Sequence, residues 1–147
     1  MGSVRELLVV GAQFAEAVTS IKDPRDLENF PWIVNTTHND PLHRTFLRLS
    51  DGERRDIRAH ATCMMDAAPA IRQAIIGGAS FTVLPDFLVA ADIAAGRILH
   101  VLPEWGLRTG GIYAVFPPAR YRAPKVRAFV DVLLAFEKSR QRRPQTV

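Results

Sequence analysis

Residues 67 to 103 restrict what this chain can become more than any other stretch. Ala67, Ala70, Ile71, Ala74 and Ile75 recur at three- and four-residue intervals, which gives a helix one apolar face, and Gly77-Gly78 stops it. Asp66 stands where the N-cap of that helix is expected. Phe81 to Leu84 reads as a buried strand. Asp86 is placed to cap a short helix from Phe87 to Ala95, Gly96 ends it, and Ile98 to Leu102 is the next strand. Both strands exit through Leu-Pro, at Leu84-Pro85 and Leu102-Pro103, where proline removes a ladder donor at the sheet's edge and the chain turns. Short strands alternating with short helices predict an α/β unit with a mainly parallel sheet flanked by helices.

The same alternation opens the chain. Leu7 to Val10 is an apolar strand ended by Gly11, Phe14 to Val18 has helical spacing, and Pro24 to Leu27 turns into the strand Trp32-Ile33-Val34. Between Phe46 and Met64 the period becomes two on both sides of Asp51-Gly52, which predicts a hairpin or closely paired strands with Ile57, Ala59, Ala61 and Cys63 on one side. Ile112 to Phe116 reads as the last strand, before Pro117-Pro118, and Pro124 opens a helix apolar on more than one side.

At 147 residues with 48% apolar content, the chain is long enough to bury a core without staples. Cys63 is the only cysteine, so no intrachain disulfide forms and a cysteine-based zinc site is excluded. No apolar run reaches the roughly 18 residues that span a bilayer. The start, MGSVRELLVVGAQ, lacks a signal-peptide pattern, and the expected location is the cytoplasm. Net charge is +4, and Lys138, Arg140, Arg142 and Arg143 concentrate it in a polar tail, expected to be a solvated helix end.

In a sheet of this kind ligands collect outside the carboxyl ends of the strands. That rule singles out Asn35, Thr36 and Thr37 after one strand and Met64, Met65 and Asp66 after another, beside the ends at Gly11-Ala12-Gln13, Pro85 and Pro117. The first group offers amide and hydroxyl donors or forms a plain turn. Met64-Met65 is core filler or a binding surface. The backbone N–H groups near Ala67 and Ala68 suit a carboxylate, which an Asp66 cap would oppose. His38, His43, Asp40 and His60 lack the i, i+4 register of a zinc face and read as a surface loop. Three residues apart on a strand, His60 and Cys63 face opposite sides, so Cys63 reads as a half-buried small hydrophobe rather than a nucleophile. No cofactor-binding or catalytic arrangement stands out.

The segments "AAPAIRQAIIGGASFTVLPDFLVAADIAAGRILHVLPEW" and "IYAVFPPARYRAPKVRAFVDVL", with "LLVVGAQFAEAVTSIKDPRDLENFPWIV" upstream, resemble the second half of the effector-binding domain of LysR-type transcriptional regulators. Gln13 and Phe14 depart from the usual Pro and Tyr, Ala123 from the usual Ser cap, and Gly77-Gly78-Ala79-Ser80 from the common Gly-Leu-Gly. The resemblance implies a periplasmic-binding-protein type II-like fold with one lobe incomplete. Residues 1 to 7 would be the hinge approach, 8 to 106 regulatory subdomain two, 107 to 138 the returning strand and helix of subdomain one, and 139 to 147 the basic tail. It implies a small, often acidic effector in a cleft whose surviving wall is Asn35, Thr36, Thr37, Thr62, Cys63, Met64, Met65 and Asp66, no catalysis, and DNA contact only through a helix-turn-helix domain outside this chain. Self-association is expected through Ile112-Phe116 and Pro124-Lys138, which the family pattern leaves without their partners. A free-standing solute-binding protein of the same fold is the alternative, disfavoured by the missing signal sequence.

Overall fold

The computed structural model describes residues 2–113, 115 and 124–141. In chain order the elements are β1 (Gly2–Val4), β2 (Glu6–Gly11), α1 (Ala15–Ser20), β3 (Pro31–Asn35), β4 (His43–Arg48) and β5 (Arg54–Arg58). There follow β6 (His60–Met65), α2 (Ala68–Ile76), β7 (Thr82–Pro85), α3 (Asp86–Ala94), β8 (Ile98–His100), β9 (Trp105–Leu107), β10 (Gly110–Ile112) and α4 (Pro124–Gln141). Arg5–Thr109 forms one compact unit; Met1–Val4 with Gly110–Val147 forms a second, in which β1 and β10 pair antiparallel.

In the larger unit β2 pairs antiparallel with β7 on one side and with β8 on the other. A parallel bridge between Trp32 and Phe81 joins β7 to β3, with the Ile33 N–H donating to the Phe81 carbonyl at 2.9 Å. β3 in turn runs parallel to β6. The spatial order is β8-β2-β7-β3-β6. A second antiparallel sheet, β5-β4-β9, contains the hairpin expected at Asp51-Gly52, where Gly52 adopts φ 76°.

The expectation of a mainly parallel sheet is corrected by these pairings: among the described residues only β3 with β6, and the bridge to β7, are parallel. β7 and β8 point the same way, as their helical crossover requires. They are not neighbours, because β2 inserts between them in the opposite direction. The strand-helix-strand pattern fixes direction and leaves adjacency open.

Alternation along β2 supplies both faces of the sheet. Val9 joins Ile33, Ile71, Ile75, Leu84, Val89 and Ile98, so α2 and α3 cover one face. Leu8 and Val10 join Trp32, Phe46, Ile57, Phe81 and Trp105, so the second sheet and the turn around Leu27 cover the other. The Trp32 indole donates to the Leu27 carbonyl at 3.0 Å, which satisfies its one polar atom inside the core. Pro85 ends β7, an interior strand, while the second Leu-Pro makes a turn in which Leu102 takes φ 50° and its carbonyl accepts from the Trp105 N–H at 2.9 Å.

The caps differ from expectation. Ala67 is the N-cap of α2 and no side chain caps that end, so Asp66 does not serve as the cap. Asp86 is the first residue of α3 rather than its cap, and its carboxylate accepts from the Phe87 N–H at 2.7 Å. At the other end of α2 the Gln13 amide donates to the Ile76 carbonyl at 2.9 Å, satisfying one of the orphan acceptors of the last turn. Gly11 lies against the Ile75 carbonyl and the Gln13 side chain, leaving no room for a Cβ. A helix carbonyl cannot swing aside, so Gly11→Ala should lower stability by about 1–3 kcal/mol in urea denaturation. An unchanged midpoint would show that α2 moves freely against β2.

Candidate functional site

The pairings place one set of strand ends along a single edge of the main sheet. Asn35 at the end of β3 lies opposite Met65 at the end of β6, and Pro85 at the end of β7 lies opposite Glu6 at the start of β2. This is the edge at which ligands collect in open α/β sheets. Two of the sequence-predicted segments meet there: the Thr36 N–H donates to the Met65 carbonyl at 2.9 Å and the Thr36 hydroxyl to the same oxygen at 3.3 Å. Asn35 is buried, and its side-chain Oδ1 accepts from the Thr37 N–H at 3.0 Å and the Thr37 hydroxyl at 2.8 Å, which makes this corner an Asx turn.

Thr62 accounts for a departure from the expected alternation. Trp32 pairs with Ala61 and Ile33 with Cys63, so Thr62 is an extra residue in β6, and its hydroxyl donates to the Trp32 carbonyl at 3.3 Å. A bulge exchanges the faces of the residues beyond it. Ile57 and Ala59 are buried as expected, but Cys63 is exposed, which corrects its reading as a half-buried hydrophobe. The methionines separate: Met64 is exposed and Met65 packs against the core cluster under α2. Asp66 is exposed.

The histidines pair locally. His38 Nε2 lies 3.5 Å from a Glu6 oxygen, and His43 Nδ1 lies 2.9 Å from an Asp40 oxygen. The His43 hydrogen bond holds the Asp40 carboxyl below the usual carboxylate range. His60 is exposed, and among the described residues no three of His, Cys, Asp and Glu gather as metal ligands.

Sequence reading missed the charged groups on this edge. Arg44 lies on the same side of β4 as buried Phe46, two residues on, so its stem runs along the core. Its Nη1 donates to the carbonyls of Asp40 at 3.0 Å and His43 at 2.9 Å. Burial lowers the guanidinium below the usual arginine range, against the opposing pull of the Glu6 and Asp40 charges. Arg5 Nε pairs with Asp86 at 3.5 Å. His100, at the end of β8, is pushed below the usual histidine range by burial and by the Arg5 charge, with Glu104 opposing.

α2, which starts beside the site, is fixed from its middle. Arg72 Nε lies 2.5 Å from one oxygen of Asp92, and Arg97 Nη2 lies 2.6 Å from the other. Asp92 is fully buried within α3, and its carboxyl is held below the usual range by the Arg72 hydrogen bond, against the penalty of burial. One acid thus ties α2, α3 and the turn into β8. The signal was an aspartate inside a helix that is otherwise apolar after Asp86, with an arginine just past its end.

With this geometry in hand, the chain can be set beside known proteins. A family model described as the LysR substrate binding domain matches residues 1–137. The HTH-type transcriptional regulator PtxR of Pseudomonas aeruginosa is 35% identical over 129 residues, covering 88% of this chain and 41% of that protein. The regulatory domain of a variant of AphB from Vibrio vulnificus superimposes with a TM-score of 0.77 at 25% identity, over 91% of this chain and 66% of that one. Full-length AphB, a virulence activator of Vibrio cholerae, gives a TM-score of 0.76 at 20% identity, over 92% of this chain and 46% of that one. The chain thus spans about two fifths of the curated relative and shares the periplasmic-binding-protein type II-like α/β fold of LysR regulatory domains. It belongs to the LysR substrate binding domain family.

Proposed function

We propose that this chain is the effector-sensing part of a LysR-type transcriptional regulator, working in the cytoplasm by binding rather than catalysis. Residues 8 to 106 act as regulatory subdomain two and 107 to 138 as the returning strand and helix of subdomain one. A small, possibly acidic molecule binds at Asn35, Thr36, Thr37, Thr62, Cys63, Met64, Met65 and Asp66, and the intact regulator reaches DNA through a helix-turn-helix domain. The observation that carries this reading is the meeting of Asn35–Thr37 with Met65 at one sheet edge, although the two segments are 29 residues apart in sequence. The start of α2, which no side chain caps, follows β6 within three residues, and its free N–H groups are those near Ala67 and Ala68, since the Ala70 and Ile71 N–H groups donate to the Ala67 carbonyl. No described helix is long and apolar enough to cross a membrane, and the described part of the chain has no groove-reading helix-turn-helix.

The test is a thermal-shift screen with small aromatic and aliphatic carboxylic acids. A ligand at a hundred times its Kd stabilises by about 2.7 kcal/mol, a shift of several degrees. Thr62→Phe, which fills the mouth of the bulge, should remove the shift while leaving the unliganded midpoint close to that of the parent. Asp66→Lys should strengthen binding of an acid by removing a like charge. Shifts unchanged in both variants would move the site elsewhere.

Self-association belongs to the same proposal. β10 ends at Ile112, and Phe116 of the expected strand lies outside the described residues. α4 carries Val126, Phe129, Leu133 and Phe136 at helical spacing, all partly or largely exposed. A second copy of the chain is the occupant we assign to that face.

A further inference from the structure

The hairpin joining β4 to β5 turns on Asp51-Gly52, and nowhere else in the sequence does glycine follow an aspartate or asparagine. Such a pair is chemically distinctive. With no Cβ on the following residue, its backbone nitrogen reaches the aspartyl Cγ with the least hindrance. Nothing lies within 4 Å of where a Gly52 Cβ would stand, and the Asp51 side chain is 53% exposed, so the surroundings do not block that approach. In the closed turn, however, each reacting group is held. The Gly52 N–H donates to the Arg48 carbonyl at 2.8 Å, and Arg48 Nη1 donates to Asp51 Oδ2 at 3.2 Å. Asp51 Oδ1 accepts from the Glu53 N–H at 3.0 Å. The Glu53 hydrogen bond first, and Arg48 after it, hold the Asp51 carboxyl below the usual carboxylate range, and an ionised carboxylate gives up an oxygen far less readily than the neutral acid. Arg48 is itself fixed, by Glu53 Oε2 at 2.5 Å and by the Trp105 ring, whose centroid lies 4.7 Å from its Cζ.

We propose that Asp51 is a site of spontaneous backbone modification, aspartate to isoaspartate, and that Arg48 is the positioning residue that delays it. When the turn opens, the Gly52 nitrogen attacks the Asp51 Cγ. The C–N bond forms, the C–OH bond of the acid breaks, and the hydroxyl leaves with the amide proton as water. A second water then opens the succinimide at the α-carbonyl, adding its hydroxyl to that carbon and returning a proton to the nitrogen. Charge is unchanged, because an α-carboxylate replaces the side-chain one, but the main chain gains one carbon. That carbon enters the turn where the Arg48 N–H donates to the Glu53 carbonyl at 2.8 Å and Leu47 pairs with Arg54. The closure of the hairpin is lost, and the sheet β5-β4-β9 loosens from its turn end. The modification thus records the time the turn has spent open, independently of any effector.

The full chain is aged for weeks at body temperature in mildly acidic buffer, beside a synthetic peptide of residues 47–54. Isoaspartate is located by peptide mapping and counted with an isoaspartyl methyltransferase. It should accumulate at Asp51 ahead of every other aspartate, and more slowly than in the peptide. Arg48→Gln should raise the rate about fivefold toward that of the peptide, the effect of one lost hydrogen bond on the opening of the turn. Arg55→Gln is the control. Arg55 also lies over the Trp105 ring, but its partners are Glu53 and Asp23 rather than Asp51, so its loss loosens the same sheet without releasing the carboxylate. Its rate should stay near that of the parent. Equal acceleration in the two variants would overturn the role of Arg48, because general loosening would then set the rate. The whole proposal is overturned if the parent ages as fast as the peptide, or if Asp51 stays unmodified in the parent and in Arg48→Gln while the peptide converts. The comparison of parent with peptide needs no variant, so it decides the matter even where Arg48→Gln fails to fold.

Discussion

Asp92→Ala should lower the stability of the chain by about 2–4 kcal/mol at neutral pH. The carboxylate has no solvent exposure and receives hydrogen bonds from Arg72 at 2.5 Å and Arg97 at 2.9 and 2.6 Å. Removing it leaves two guanidinium groups facing each other across the space it filled. Both arginines keep some exposure and can turn toward water, which holds the loss below that of a fully buried broken pair. The pH dependence separates charge from shape. The folded pKa of Asp92 lies below its ordinary value, so its stabilisation is fully present above the unfolded pKa of about 3.9 and is lost as pH falls through the folded pKa. Asp92→Asn should therefore be less stable than the parent at pH 7 and approach it as pH falls below about 4. A constant difference across that range would mean that packing, not charge, ties α2 to α3.

The second large effect concerns the face of α4. Phe129 is 64% exposed, Phe136 66% and Leu133 37%, spaced so that all three lie on one side of the helix. Apolar area left in water costs about 25 cal/mol per Å², and two copies that bring these faces together recover that free energy. Sedimentation should show a dimer or larger assembly at micromolar concentration. Phe129→Glu with Leu133→Glu places two carboxylates on the joined face. Each lost apolar anchor of about 2 kcal/mol weakens association roughly 30-fold. The larger unit, whose core draws on Arg5–Thr109, should keep its stability in that variant. A monomer in the parent chain would remove the proposal for this face.

Much of the larger unit was legible locally. Ile71 and Ile75 declared the buried face of α2, Asp51-Gly52 the hairpin, and the apolar run around Val83 a strand, because helical and extended periods are set by neighbouring residues. Half of the candidate site was legible for the same reason, since strand ends follow from strand positions. The rest depended on contacts between distant segments. The bulge at Thr62 is set by how β6 meets β3, and a single extra residue turned Cys63 outward. Asp66 lost its capping role because the helix begins at Ala68, one residue later than expected, with Ala67 as its N-cap.

The sequence by itself determined most helices and strands of the larger unit and their order, which rest on local spacing, and the motifs that mark the family; β1, β9 and β10 it did not reveal. Only the tertiary structure decided which strands are neighbours, that β2 runs antiparallel between β7 and β8, and that Glu6 and Asn35 share one edge. The physical reason is that direction and periodicity are properties of a segment, whereas adjacency and charge pairing are chosen by the burial of both faces of the sheet at once. Residues far apart in sequence are brought together by that choice alone.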